Sequence, residues 1–215
     1  MDTPPRLPRL EHLKDYCADV PPITASEFIA RQKALAKILA DKNLRGAAYI
    51  AEPGADALYF ANISESSWQL SERPLLVIIS PFQGYEDIEP VVTIITPKFE
   101  ASRAKLLSIP AQHLTFVEWE EDEDPYQIAA RSLPTTTFPQ FRRFYLSGST
   151  RRFIGDGFAS ATGMVTTASL EMQMLRERKS PAEIALLRCV NEVNALFHVD
   201  YSKISKILFR LPYFL

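Results

Sequence analysis

The sequence predicts an α/β domain built in three layers, with a mixed sheet of about six strands flanked by helices. Three observations carry this. Short runs rich in β-branched and aromatic residues alternate with segments of helical periodicity along the chain. Two of the runs, Leu75–Ser80 (LLVIIS) and Val91–Thr96 (VVTIIT), are almost continuously apolar, as expected of central strands covered on both faces. Some connections between strands are too short to hold a crossover helix, so part of the sheet must pair antiparallel.

Taken in order, residues 1–22 read as an extended arm rich in proline and closed by Pro21-Pro22. Thr24 with Glu27 three positions on forms a capping box, and Ile23 with Phe28 suits a hydrophobic staple across it. Phe28, Leu35, Ile38 and Leu39 then share one helical face, so a helix is expected over about residues 25–42, stopping near Asn43. Strands are expected at Ala47–Ala51, Leu58–Asn62, Leu75–Ser80 and Val91–Thr96, the last two joined by a hairpin-like turn. A helix begins near Lys98 and stops at Pro110, a strand follows at Leu114–Glu118, and an acidic run, Glu118–Asp124, leads to a short helix over Tyr126–Arg131. Arg143–Ser147 reads as a strand, Arg151–Ala161 as a helix weakened by Gly155 and Gly157, and Met164–Thr167 as a last short strand.

Composition excludes several classes. The 215 residues carry 47% hydrophobic and 23% charged side chains and a formal charge of -2, an ordinary globular balance without the basic stripe that a nucleic-acid grip requires. No apolar run reaches the length of a signal peptide or a membrane span, so no membrane partner is expected and the cytoplasm is the default location. The two cysteines, Cys17 and Cys189, lie far apart, the second inside a helical pattern, so a disulfide framework is not expected.

The most informative stretch is Glu171–Asn194. Ser180 is a helix N-cap, Pro181 takes the first helical position and Glu183 completes a capping box. Ile184, Leu187, Val190 and Val193 then recur at helical spacing, while Arg176, Arg178 and Lys179 form a short basic run just upstream. The segment reads as a connector followed by a long helix. Its core, LRERKSPAEIALLR, resembles the connector of the creatinase, prolidase and Xaa-Pro aminopeptidase family, with Arg176, Lys179, Ser180, Pro181, Glu183 and Arg188 carrying the motif. The likeness extends back to about residue 24, and IAEPGADALYFANISESSWQLSERP resembles fungal Xaa-Pro aminopeptidase-like proteins. The resemblance implies a creatinase-type, ribonuclease H-like N-terminal domain over residues 23–170, then a connector, helix and atypical tail over 171–215.

In that family, catalysis belongs to a separate "pita-bread" domain whose Asp, Glu and His residues hold two divalent metals such as manganese. Metals so held raise the acidity of a bridging water that attacks the peptide carbonyl. Here His12, His113 and His198 lack partners at ligand spacing, so no catalytic residue, metal or cofactor is expected in this chain. Gly155-Asp-Gly157 falls short of a dinucleotide fingerprint, no G-x-S-x-G surrounds Ser147, Ser149 or Ser160, and the acidic run lacks the glycine of a calcium loop.

One loop stands out as a contact candidate, Asn62–Pro74. Trp68, Glu72 and Arg73, with Tyr59 just before, are candidates for an interface or the rim of a substrate entrance, since Trp and Arg often anchor interfaces. The competing reading has Trp68 plugging the core and Arg73 paired with a neighbouring carboxylate. Leu58 departs from the aromatic that some relatives carry there. The last residues, HVDYSKISKILFRLPYFL, depart from the family pattern and are expected to be a truncated ending. The combined expectation is a non-catalytic N-terminal domain that shapes a substrate entrance and dimer contacts, as a homodimer or with a full-length peptidase subunit. The alternative is a freestanding protein-binding or regulatory module, or an inactive truncated product.

Overall fold

The computed structural model describes residues 16–41, 46–84, 87–133 and 143–208, with side chains described as far as residue 196. The chain divides into two compact units, Thr24–Arg178 and the pair of segments Met1–Ile23 with Lys179–Leu215.

The larger unit opens with α1 (Ala25–Asp41), whose start is fixed as the capping box requires: the Thr24 hydroxyl accepts from the Glu27 N–H at 3.3 Å. The expected stop at Asn43 lies outside the described residues. Strand β1 (Ala47–Ala51) is buried along its whole length. Next comes α2 (Ala55–Ala61), then β2 (Leu76–Gln83) and β3 (Ile88–Pro97). A 3-10 turn, Lys98–Glu100, runs into the short α3 (Ala101–Ala104), so this helix ends earlier than expected. There follow β4 (His113–Trp119), α4 (Pro125–Ser132), β5 (Arg143–Leu146), α5 (Arg152–Thr162), β6 (Val165–Thr167) and α6 (Leu170–Glu177).

The six strands form one mixed sheet in the order β4-β3-β2-β1-β5-β6. β2 pairs antiparallel with both neighbours, whereas β1 with β5, β3 with β4 and β5 with β6 are parallel. The β2–β3 hairpin is antiparallel because its short turn allows no crossover, while β1 and β2 pair antiparallel across a longer connection that holds α2. Side chains alternate across the pleat to serve two cores. Tyr49, Ala51, Val77, Ile79, Val92 and Ile94 face a layer containing α1, α2 and α6. Ala48, Ile50, Leu76, Ile78, Ile95 and Phe144 face α4 and α5. Central strands covered on both sides explain why LLVIIS and VVTIIT show little polar alternation.

One expected strand is a helix. Leu58–Asn62 lies in α2 and at its cap, because Ala57, Phe60 and Ala61 are the buried set and their spacing is helical, while Leu58 is exposed. Gly54 accepts the first turn through its carbonyl, from Leu58 N–H at 2.8 Å. Asn62, at φ 58°, ends the helix in the left-handed conformation that Asn tolerates, its N–H turned back to the carbonyls of Ala57 and Leu58. The aromatic pair Tyr59-Phe60 had favoured a strand, but helical burial prevails.

α5 shows what its glycines are for. A methyl group at Gly157 would overlap the Tyr126 ring, and one at Gly155 would press on Leu146 at 3.0 Å. Both glycines admit close approach, and Tyr126 meets Phe158 edge-to-face at 5.2 Å in the space so created.

In the smaller unit, the turn at Tyr16–Asp19 is joined to the long helix α7 (Pro181–Leu208) by a disulfide between Cys17 and Cys189, Cα atoms 5.9 Å apart. This corrects the expectation that the two cysteines stay unpaired: 172 residues of sequence separation say nothing against contact once the arm meets the helix. In the chain-entropy picture, closing a loop this long restricts the unfolded chain by roughly 5 kcal/mol. α7 begins as its capping box specifies, with reciprocal bonds between Ser180 and Glu183 at 3.0 and 3.1 Å. Among the described residues, no helix is long and apolar enough to cross a membrane.

Gly157→Ala should destabilise the larger unit by about 1–3 kcal/mol through overpacking. In an unhindered helix the same change stabilises by roughly 0.5–1 kcal/mol, so the sign is diagnostic. Urea unfolding of G157A, alone and combined with Tyr126→Leu, checks it: the double variant should recover part of the loss.

Candidate functional site

The parallel strands β1 and β5 are neighbours, so the loops leaving their carboxyl ends lie side by side, the position where α/β sheets commonly place polar function. Two carboxylates emerge after β1, Glu52 and Asp56, both among the buried charged residues. Each is met by a partner that follows β5 or belongs to the connector.

Asp56 is 8% exposed and uses both oxygens. Its Oδ1 accepts from Arg176 Nε on α6 at 2.7 Å, and its Oδ2 accepts from the Ser147 hydroxyl just past β5. Tyr49 places its hydroxyl beside both Asp56 and Ser147. Burial, and then the Asp56 charge, pushes the Tyr49 phenol well above its ordinary range, so it stays protonated as a donor. α6 gains a second tie where the Tyr59 hydroxyl donates to the Leu175 carbonyl at 2.6 Å, and Met172 enters the core.

Glu52 forms a parallel arrangement with Arg151, the N-cap of α5. The Arg151 backbone N–H donates to Oε2 at 2.8 Å, while Nε and Nη2 both reach Oε1, at 2.9 and 2.5 Å. Nη2 also donates to the Ser71 carbonyl at 2.7 Å, so one guanidinium joins β1, α5 and the Asn62–Pro74 loop. With its charges matched, this edge fixes loops and a helix, and the Ser147 hydroxyl donates to the Asp56 carboxylate.

The contact candidates divide. Trp68 is 2% exposed and belongs to the core, with the Arg103 guanidinium 4.2 Å above its ring. Its burial follows from the turn before it, where Trp68 N–H bonds the Ser64 carbonyl at 3.0 Å and the serine hydroxyls bond one another. Arg73 pairs with Glu121 at 3.1 Å and lies 5.3 Å from the Phe99 ring centroid, both exposed. Glu72 is exposed. Tyr59 is half-buried, covered by the Arg31 guanidinium at 4.2 Å and tied to α6. Of the connector motif, Arg176 reaches the Asp56 network, Ser180, Pro181 and Glu183 start α7, Lys179 precedes them and Arg188 is exposed on the helix.

The acidic run is consumed locally: Glu118 pairs with Lys105 at 2.8 Å, Glu120 with Lys98, and Asp124 caps α4. His113 pairs with Glu89 at 2.7 Å across β3 and β4. Among the described residues, no group of three or more His, Cys, Asp and Glu side chains converges as metal ligands. Sequence reasoning missed Glu52, Asp56 and Arg151. The available signal was carboxylates and a basic residue placed just after β1 and β5, which becomes informative once those strands are known to be neighbours.

No family model matches the chain. An uncharacterized peptidase of Schizosaccharomyces pombe is 37% identical over 176 residues, which are 79% of this chain and 36% of that protein. Over most of its length the chain is thus similar to about a third of that uncharacterized peptidase. The fold agrees with two solved structures, dipeptidase PepE from Mycobacterium ulcerans (TM-score 0.57, 22% identity) and a prolidase from Thermococcus sibiricus (TM-score 0.52, 18% identity). Each match covers 76% of this chain and 40% of the solved one. The chain spans well under half the length of the proteins it matches, and at these identities the structural likeness is one of fold.

Two outcomes test the edge. Asp56→Ala removes the buried acceptor that the Ser147 hydroxyl and the Arg176 guanidinium share, and should cost about 1–3 kcal/mol. Amide exchange should speed up over α6 more than over β2 and β3, which a uniform loss of stability does not produce. The second outcome concerns alkaline pH. Burial, then Asp124, pushes the Tyr126 phenol up to about 12, and Tyr49 shifts the same way. The unfolded chain releases these protons near pH ~10 and the folded chain later, so stability is full below about 10 and falls as pH rises toward 12. Denaturant midpoints at pH ~9 and ~11 check this, and Tyr126→Phe should flatten the decline.

Proposed function

We propose that Thr24–Arg178 serves as the non-catalytic N-terminal portion of a Xaa-Pro aminopeptidase- or prolidase-type protein, shaping the substrate entrance and contributing dimer contacts. The observation that carries this reading is the coverage of the curated relative: 79% of this chain aligns with 36% of a peptidase. A domain of that share, with the fold of a prolidase and a dipeptidase segment, acts by positioning loops and a connector rather than by chemistry of its own.

The carboxyl-edge network supports it. Asp56 and Tyr59 fasten α6, the helix that ends this unit, so whatever follows Arg178 leaves the domain from a fixed helix. The exposed Glu72, Arg73 and Phe99 supply charged and aromatic groups suited to an entrance rim or a subunit contact. Trp68 contributes from beneath, holding the loop that carries Glu72 and Arg73. In this reading two divalent metals, such as manganese, belong to the peptidase portion of the relatives.

The test is hydrolysis of Xaa-Pro dipeptides and tripeptides by the purified chain, with and without added manganese. No turnover is expected. Metal-dependent turnover that co-purifies with the chain and is lost with Asp56→Ala would overturn the assignment and move the active site into this domain. Sedimentation over a concentration series checks the dimer contacts: Arg73→Glu should weaken self-association at least several-fold.

A further inference from the structure

We propose that the Cys17–Cys189 bond is a reversible redox staple that fastens the N-terminal turn to α7 and releases it under reducing conditions. The proposal rests on the pairing of the two sulfurs, their unequal access, and the weakness of a tie beside them. It is independent of the peptidase reading.

Cys17 and Cys189 are the two cysteines of the sequence, so neither has a third thiol in the chain with which to shuffle. Cys17 is half-buried in a short surface turn, held by the Val20 N–H to Cys17 carbonyl bond at 3.1 Å. Cys189 lies inside α7 and is 7% exposed. An external thiolate therefore reaches Cys17 Sγ more readily than Cys189 Sγ, and access is one of the quantities that sets the rate and direction of exchange. Beside the disulfide, the Tyr16 hydroxyl donates to Glu192 at 3.4 Å in an exposed position, a long bond of little strength. Once the covalent link opens, that contact is poorly suited to hold the turn against the helix.

The chemistry balances with a glutathione-type thiol as reductant. A glutathione thiolate attacks Cys17 Sγ, the S–S bond breaks, and Cys189 leaves as a thiolate that takes up a proton. A second glutathione thiolate attacks the mixed disulfide, freeing Cys17 as a thiolate that is protonated in turn. The chain gains two hydrogens and one glutathione disulfide forms. Re-oxidation by glutathione disulfide runs the same steps backwards. The exposed Pro21-Pro22 pair that follows the turn restricts the backbone at that point.

The full chain is equilibrated in a series of reduced-to-oxidised glutathione mixtures, quenched with an alkylating maleimide and weighed intact. In the oxidised mixtures neither cysteine should be labelled and the chain should remain monomeric on a non-reducing gel. In the reducing mixtures both should be labelled, and returning the sample to the oxidised mixture should restore protection. Amide exchange across residues 16–20 should be at least several-fold faster in the reduced protein, and Cys17→Ser and Cys189→Ser should each show the fast rate in every mixture. Labelling of both thiols under oxidised conditions, or a bond between chains instead of within one, overturns the pairing. A bond that persists in the most reducing mixture makes it a permanent fastening and overturns the switch. Should a serine variant fail to fold, exchange in the reduced wild-type chain provides the same comparison.

Discussion

A carboxylate taken out of water needs a partner for each oxygen, and Asp56 has one for each: the Arg176 guanidinium and the Ser147 hydroxyl. Those partners come from a helix at the end of the domain and from the loop after β5, so one buried charge ties three distant parts of the sequence. Glu52, four residues earlier, does the same with Arg151. Both arrangements depend on β1 and β5 being parallel neighbours, which brings their departing loops together. The hydrophobic layers would hold a sheet of this order with many loop conformations. The two carboxylates select one, and with it the place where the connector leaves.

Where the sequence could be read, local chemistry was sufficient. The caps at Thr24 and Ser180 determine the starts of α1 and α7 from three or four residues each. The strands of β2 and β3 are legible because burial on both faces removes polar alternation. The failures are tertiary. Tyr59-Phe60 has strand propensity, yet α2 forms because its i, i+3, i+4 set is what the core accepts. α6 lay hidden within a stretch read as connector, since its hold comes from Asp56 and Tyr59 at more than a hundred residues' remove. The pairing of Cys17 with Cys189 was invisible for the same reason.

The site candidates divide along that line too. Trp68 and Arg73 share a loop whose composition is unusual, and composition alone leaves Trp68 open between a surface anchor and a core plug. Their roles separate because the Ser64–Ser67 turn directs the indole inward while Arg73 remains outside with Glu121. Arg103 over the buried indole and Arg73 beside Phe99 show guanidinium groups covering aromatic surface that water would otherwise meet. A rim built this way is both apolar and charged, and its shape is set from below by the core.

The disulfide has a mechanical meaning. Cys17 and Cys189 flank the whole Thr24–Arg178 unit along the chain. Tension applied between a point before Cys17 and a point after Cys189 is carried across the sulfur–sulfur bond and bypasses the sheet. While the bond is closed, the domain is slack under load; once it opens, the same pull passes through every strand.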